Sequence, residues 1–359
     1  ILAMFGLFIY GLIYYCNPLF LMLTMKNLKV LGISAGQGAL LFPFKENLIA
    51  NIEPRSVFHT KGEEQWKLNF GNVPFLKEEL PDNLRPNIII SSPDCGASSI
   101  MRLSKSKQLG KPENNKSLNL VIKAINKYRP KVFLIENLPR LVTLLPKEFF
   151  EIQVPGYKLI YHQNSVSDFG NSQVSRKRLI IIGIKFKSKS FLNKFNNIFR
   201  VDTPLSSRNL LECSYFKGNK DNYMPPLNKK LAMYDYRALP EKNNLTVSEI
   251  RKLWIGDFKS EKKWPIKTSK MSTLPGVYKL EADKAPLTLR PSDRQFRPDG
   301  YPLGILDFRN IMGLPKDFLI YMNNSSEKEY LYWLNKARYT LAKGSVYQIG
   351  VWFKKSLLS

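Results

Sequence analysis

Histidine and cysteine are scarce in this chain, and acidic residues are outnumbered almost two to one by basic ones. The only histidines are His59 and His162, too few for a multi-histidine metal centre and a poor start for a Ser/His/Asp triad. The three cysteines, Cys16, Cys95 and Cys213, lie far apart with no CxxC pair. This spacing suggests neither a zinc ribbon nor a disulfide framework and implies a reducing compartment. Catalysis must therefore lean on cysteine, carboxylate and arginine, and no metal is expected. The 55 Lys+Arg against 29 Asp+Glu give a formal charge of +26. Such an excess favours a polyanionic partner, nucleic acid first, against the plainer reading of a solvated basic surface set by A·T-rich coding bias.

Charge is wholly absent from Ile1 to Thr24, a stretch about long enough to cross a bilayer as a helix. Read literally it is a membrane anchor. The reading favoured here is a frame extended upstream of a start at Met25, since Lys26-Asn27-Leu28-Lys29 then leads straight into the first strand. The expected location is then the cytoplasm. The stretch lacks the basic leader and small-residue cleavage site of a signal peptide.

A chain of 359 residues exceeds one ordinary core, so two domains are expected. The apolar run Lys29–Ile33 enters Ser34-Ala35-Gly36-Gln37-Gly38, and a second run follows at Leu48–Ile52, which reads as βαβ. Further runs at Asn87–Ser91 and Lys131–Ile135, with a helical stretch at Ser117–Tyr128 between them, extend a buried, mostly parallel sheet. Tyr157–His162 and Arg178–Lys185 should pair as an antiparallel edge hairpin. From Lys187 to Leu287 the sequence is rich in Lys, Asn, Ser and Pro with interleaved Tyr and Trp. It predicts a smaller irregular domain whose core would use Trp254, Trp264, Tyr234 and Tyr236. The closing segment Ser345–Trp352 predicts a final strand returning to the first domain.

A glycine turn between strand and helix presents backbone N–H groups to a ligand, and an acid at the end of the next strand can hold ribose hydroxyls. Gly36, Gly38 and Glu53 fit those places, although a plain tight turn fits the glycines equally well. Cys95 follows the buried run Ile88-Ile89-Ile90 in Ser91-Ser92-Pro93-Asp94-Cys95-Gly96, at the strand end where open α/β sheets build their sites. Glu136 ends another apolar run as either a helix cap or a functional acid. Arg176 and Arg178 open the strand Leu179–Ile182 on one face, as ligand-holding groups or as solvated strand caps.

In this order the segments resemble the cytosine carbon-5 DNA methyltransferase family, from about Val30 onward. Gly32 to Gly38 is similar to its first motif, Pro93 to Gly96 to its Pro-Cys loop, and Glu136-Asn137-Leu138 to its Glu-Asn-Val motif. Arg176 to Arg178 is similar to its Arg-x-Arg motif, Asp307 to Phe318 to its Arg…Gly-Phe-Pro segment, and Ala342 to Val346, with Ser345, to its closing Gly-Asn-x-Val motif. Departures are Asp94 in place of the usual proline, Gly96 for glutamine, Ser34 for an aromatic, Asn72 where an acid meets adenine, and Gln173 displaced by one position.

The resemblance implies an α/β fold: a Rossmann-like S-adenosylmethionine methyltransferase domain over 25–190, an irregular target-recognition domain over 191–320, and a segment 321–359 packing back on the first. It implies Cys95 as nucleophile at carbon 6 of a flipped cytosine, with Glu136, Arg176 and Arg178 also catalytic. S-adenosyl-L-methionine is the implied co-substrate, held by Ser34, Gly36, Gly38, Glu53, Asn72, Pro93 and Ser345. The implied partner of a monomer is double-stranded DNA; a restriction–modification enzyme with a cognate restriction endonuclease, a phage self-protection enzyme and an orphan methylase all fit the resemblance equally. A tRNA cytosine methyltransferase and a catalytically inactive DNA-binding relative are the alternatives.

Overall fold

Short runs of Ile, Val, Leu and Phe that are apolar at every position cannot expose either face, and here they form the interior of one sheet. The structure, a computed structural model, describes residues 28–55, 61–77, 79–95, 115–170, 173, 176–185, 189–196, 266–267, 277–279, 285–286, 294–296, 305–320 and 346–358. The first of these contain β1 (Val30–Ile33), β2 (Leu48–Ile52), α1 (Lys61–Phe70), β3 (Phe75–Leu76), β4 (Ile88–Ser91), α2 (Lys116–Tyr128) and β5 (Val132–Asn137). They continue with α3 (Leu141–Leu144), α4 (Lys147–Gln153), β6 (Lys158–Ser165), β7 (Lys177–Ile184) and α5 (Lys189–Asn196).

The strands order as β3-β2-β1-β4-β5-β7-β6. Contacts from β3 through β5 are parallel, whereas β7 runs antiparallel to both β5 and β6. The expected hairpin is therefore present, with β6 at the sheet edge. Successive side chains serve opposite layers: Val30, Ile88, Ile90, Val132 and Leu134 face one core, and Leu31, Ile33, Ile89, Phe133 and Ile135 the other. Because β1 lies between β2 and β4, a crevice opens at their carboxyl ends, the topological switch point of such sheets. The reversal of β7 brings its amino end to the same edge, with Glu136 opposite Ile180 and Asn137 opposite Leu179.

Helix α2 illustrates how the sequence sets an element. Asn115 caps its first turn, accepting from the Ser117 and Leu118 N–H groups, and Leu118, Val121, Ile122 and Ile125 repeat on its buried face. Arg129 then turns left-handed at φ 49° and Pro130 follows. The β1-to-β2 crossover, expected as helical, instead runs through turns and a 3-10 segment at Phe42–Asn47, since Gly36, Gly38 and Pro43 interrupt any longer helix.

Three short parallel strands, β8 (Ile266–Lys267), β9 (Val277–Lys279) and β10 (Arg294–Phe296), form a second sheet. Trp254, Trp264, Tyr234 and Tyr236 lie outside the described residues. Among the described residues two helices follow, α6 (Ile305–Ile311) and α7 (Tyr347–Leu358). The segment expected as a final strand is thus the start of a helix, with Val346, Ile349, Trp352, Phe353 and Leu357 buried at helical spacing. It packs on the large core. So do Phe195, Ile311, Met312, Leu314 and Phe318. Among the described residues no helix is long and apolar enough to cross a membrane; Ile1 to Thr24 lies outside them.

Candidate active site

Where β1 ends, the backbone twists through left-handed conformations at Ser34 (φ 54°), Gly36 (φ 62°) and Gly38 (φ 88°). A Cβ at Gly38 would overlap the Phe70 ring, so this loop lies flat on α1 only because the residue is glycine. Ser34 adopts a conformation costing a non-glycine residue roughly 1–2 kcal/mol. It is fully buried, and its hydroxyl oxygen has no hydrogen-bond partner among the described residues.

Glu53 follows β2 and is fully buried. Its Oε2 accepts from the Gly36 N–H at 2.8 Å. Arg55 grips the same carboxylate at 2.6 Å through both Nε and NH2 and reaches the Ser34 carbonyl at 2.6 Å. One loop, one acid and one arginine are thereby locked together at the end of the first two strands.

On the other side of the crevice, Glu136 is 5% exposed. The Ser92 hydroxyl donates to its Oε2 at 2.6 Å, and Arg178 Nε pairs with its Oε1 at 2.8 Å. Both oxygens are thus held in one orientation. Asn137 Nδ2 donates to the Pro93 carbonyl at 3.2 Å, joining β5 to the loop that carries half-buried Cys95.

These groups share one cleft of about 680 Å³ including its open mouth. Gly36, Pro93, Cys95, Glu136, Arg176 and Arg178 line it, with Arg55 and Ser92 beside them. Glu53 and Ser34 stand immediately behind, through Gly36 and Arg55. A thiol, an oriented carboxylate and two arginines at one end, with the glycine loop and Arg55 at the other, can serve a two-substrate transfer. Asn72 is not brought in: it is exposed in the turn on the amino side of β3, away from the carboxyl ends. Ser345 and Gly96 lie outside the described residues, although Val346 lines the cleft. Arg55, Ser92 and Asn137 were missed in the sequence; their closeness to Glu53, Cys95 and Glu136 was the available signal.

The family model for C-5 cytosine-specific DNA methylase matches residues 55–331. No curated protein sequence matches the chain. Among solved structures, the chain is similar to Dnmt2 methyltransferase of S. pombe at 14% identity, covering 92% of this chain and 98% of that one, TM-score 0.55. It is similar to a prophage-encoded protein of E. coli described as a DNA modification methyltransferase, at 14% identity, 91% and 99% coverage, TM-score 0.56. The Entamoeba histolytica methyltransferase EhMeth gives 15% identity, 90% and 98% coverage and a TM-score of 0.51. At such identities the likeness shows the shared methyltransferase fold.

Proposed function

Because the chain belongs to the C-5 cytosine-specific DNA methylase family, we propose that it transfers a methyl group from S-adenosylmethionine to carbon 5 of a cytosine in double-stranded DNA. The observation that carries this reading is the convergence of Cys95, Glu136, Arg176 and Arg178 on one cleft with the glycine loop. The charge of +26 supports a nucleic-acid substrate, and the size of the region between β7 and α6 supports a target-recognition domain for duplex DNA.

The co-substrate supplies an electrophilic methyl group on a sulfonium. The glycine loop, fastened to the buried Glu53 carboxylate by the Gly36 N–H and by Arg55, forms the end of the cleft that suits the nucleoside part of such a ligand. At the other end, a Cys95 thiolate adds to carbon 6, forming a carbon–sulfur bond and moving the ring π pair to carbon 5. Glu136, oriented by Ser92 and Arg178, holds the proton at N3 that offsets the developing negative charge. The pair at carbon 5 takes the methyl group, whose bond to the sulfonium breaks with its electrons staying on sulfur as a neutral thioether. The carbon 5 proton then leaves to a base, and the carbon–sulfur electrons return to the thiolate as the ring regains aromaticity. A stacked base cannot reach this cleft, so the cytosine is flipped out of the duplex.

The test uses the full chain, tritiated S-adenosylmethionine and unmethylated mixed-sequence duplex, with 5-fluorocytosine duplex as a trap. The expected result is label in DNA and a denaturation-resistant complex that Cys95→Ala abolishes. Label in tRNA alone would transfer the reading to RNA. A folded protein that binds DNA without labelling either would make it a non-catalytic relative.

A further inference from the structure

Proline fixes its own φ and carries no N–H, so an aspartate in its place loosens the backbone and adds a donor. Asp94 is such a replacement, immediately before Cys95. Its backbone is tied at both ends. The Asp94 N–H donates to Ser117 Oγ at 2.7 Å, and the Ser117 hydroxyl donates to Asn115 Oδ1 at 2.8 Å. Asn115 Nδ2 then donates back to the Asp94 carbonyl at 2.7 Å, closing a ring through the amino end of α2. Asn115 Oδ1 also accepts from the Ser117 and Leu118 N–H groups at 3.0 and 3.2 Å. The anchor is firm: Ser117 is 3% exposed, and Leu118 and Val121 below it are buried in the core.

We propose that Asn115 and Ser117 are positioning residues for the Cys95 loop, supplying through hydrogen bonds the backbone restraint that a proline at position 94 would supply covalently. The inference rests on the reading of Cys95 as nucleophile, and it predicts which changes are interchangeable. The carbonyl held by Asn115 belongs to the peptide that enters Cys95, so its orientation sets where the thiol stands.

Asn115→Asp separates capping from positioning, because aspartate caps a helix as well as asparagine does but has no N–H for the Asp94 carbonyl. The experiment compares wild type, Asn115→Asp, Ser117→Ala and the double variant Ser117→Ala/Asp94→Pro. Single-turnover methylation of duplex DNA, thermal unfolding, hydrogen exchange of the peptide spanning Asp94 and Cys95, and iodoacetamide alkylation of Cys95 read by peptide mapping are measured on each.

The expected result is a 10- to 100-fold fall in turnover for both single variants, with melting and S-adenosylmethionine affinity little changed. Exchange at the loop should rise about tenfold, as expected for a lost local restraint, and the proline variant should regain most of the rate. Single variants that match wild type in exchange and Cys95 alkylation would overturn the proposal. Loss of turnover without rescue by proline, at unchanged exchange, would do so too. If wild type methylates neither DNA nor tRNA, the exchange and alkylation data still decide the restraint, and only the nucleophile reading falls.

Discussion

Glu136 owes its orientation to two partners of different kinds, a neutral hydroxyl on Oε2 and a guanidinium on Oε1. The carboxylate can therefore face a base edge without rotating, and the chemistry it offers depends on its capacity to share a proton. Glu136→Gln preserves shape and hydrogen bonding to Arg178 but removes that capacity. Its turnover should fall about 10²- to 10⁴-fold, while affinity for S-adenosylmethionine, proposed to bind at the glycine-loop end of the cleft, stays within a few-fold. Stopped single-turnover assays with a parallel equilibrium titration measure both; a rate within fivefold of wild type would remove Glu136 from the chemistry. Cys95, Glu136 and the arginines were legible because polar residues at the end of an all-apolar run have few structural reasons to be there. Ser92 was not legible, since its partner lies 44 residues away. Nothing local marks a serine as the ligand of a distant carboxylate. Asn72 was misplaced for a related reason: pairing of Ile52 with Leu76 sets which part of β3 reaches the crevice, and register is a tertiary property.

The elements behind the cleft depend on close approach, and α7 shows it best. A Cβ at Gly350 would overlap the Leu40 carbonyl oxygen and crowd Pro43 at 3.2 Å, so α7 sits directly on the glycine loop. Alanine in a helix interior gains about 1 kcal/mol over glycine, but overlap with a backbone oxygen costs about 1–3 kcal/mol. Gly350→Ala should therefore lower stability and weaken co-substrate binding together, checked by denaturant titration and calorimetry. A stabilised variant would show that the contact yields freely. The strand expected at Ser345–Trp352 came from its Val, Ile, Tyr and Trp content. The helical period emerges only when Phe353, Ser356 and Leu357, all buried, are included. On β6, His162 donates from Nε2 to the Phe195 carbonyl at 2.9 Å and meets the Trp352 ring edge-on. Burial pushes its pKa below the ordinary 6.5, with the carbonyl partly opposing. The unfolded chain thus binds the proton more readily than the fold. The stability from the neutral ring is complete above pH 6.5 and is lost as pH falls through the depressed folded value. His162→Gln keeps an N–H donor and does not titrate, so its melting temperature should fall less than that of wild type between pH 7 and pH 5. Parallel curves would assign the acid sensitivity to other groups.

At the scale of the whole molecule the dominant quantity is the +26 charge, which the uncharged interior of the sheet cannot house and which therefore lies on surfaces and loops. Charge of this kind attracts phosphates without reading sequence. It also makes affinity depend on salt through counterion release, with a slope of about −0.9 per phosphate neutralised on duplex DNA and about −0.7 on single strands. If the basic region between β7 and α6 grips duplex through 6–10 phosphates, a range typical of specific binders, affinity for a mixed-sequence duplex should fall about 10³- to 10⁵-fold from 50 to 200 mM salt. Fluorescence anisotropy across that range measures it, with S-adenosylmethionine affinity as the internal control, since a small ligand releases no condensed counterions. A tRNA of equal charge in the same titration makes the comparison sharper. Equal slopes with tighter binding to duplex would place the preference for DNA in shape and base contacts. A shallow slope on both would mean that the charge is spread evenly over the surface, and the cleft would then have to hold its flipped base with little help from the backbone.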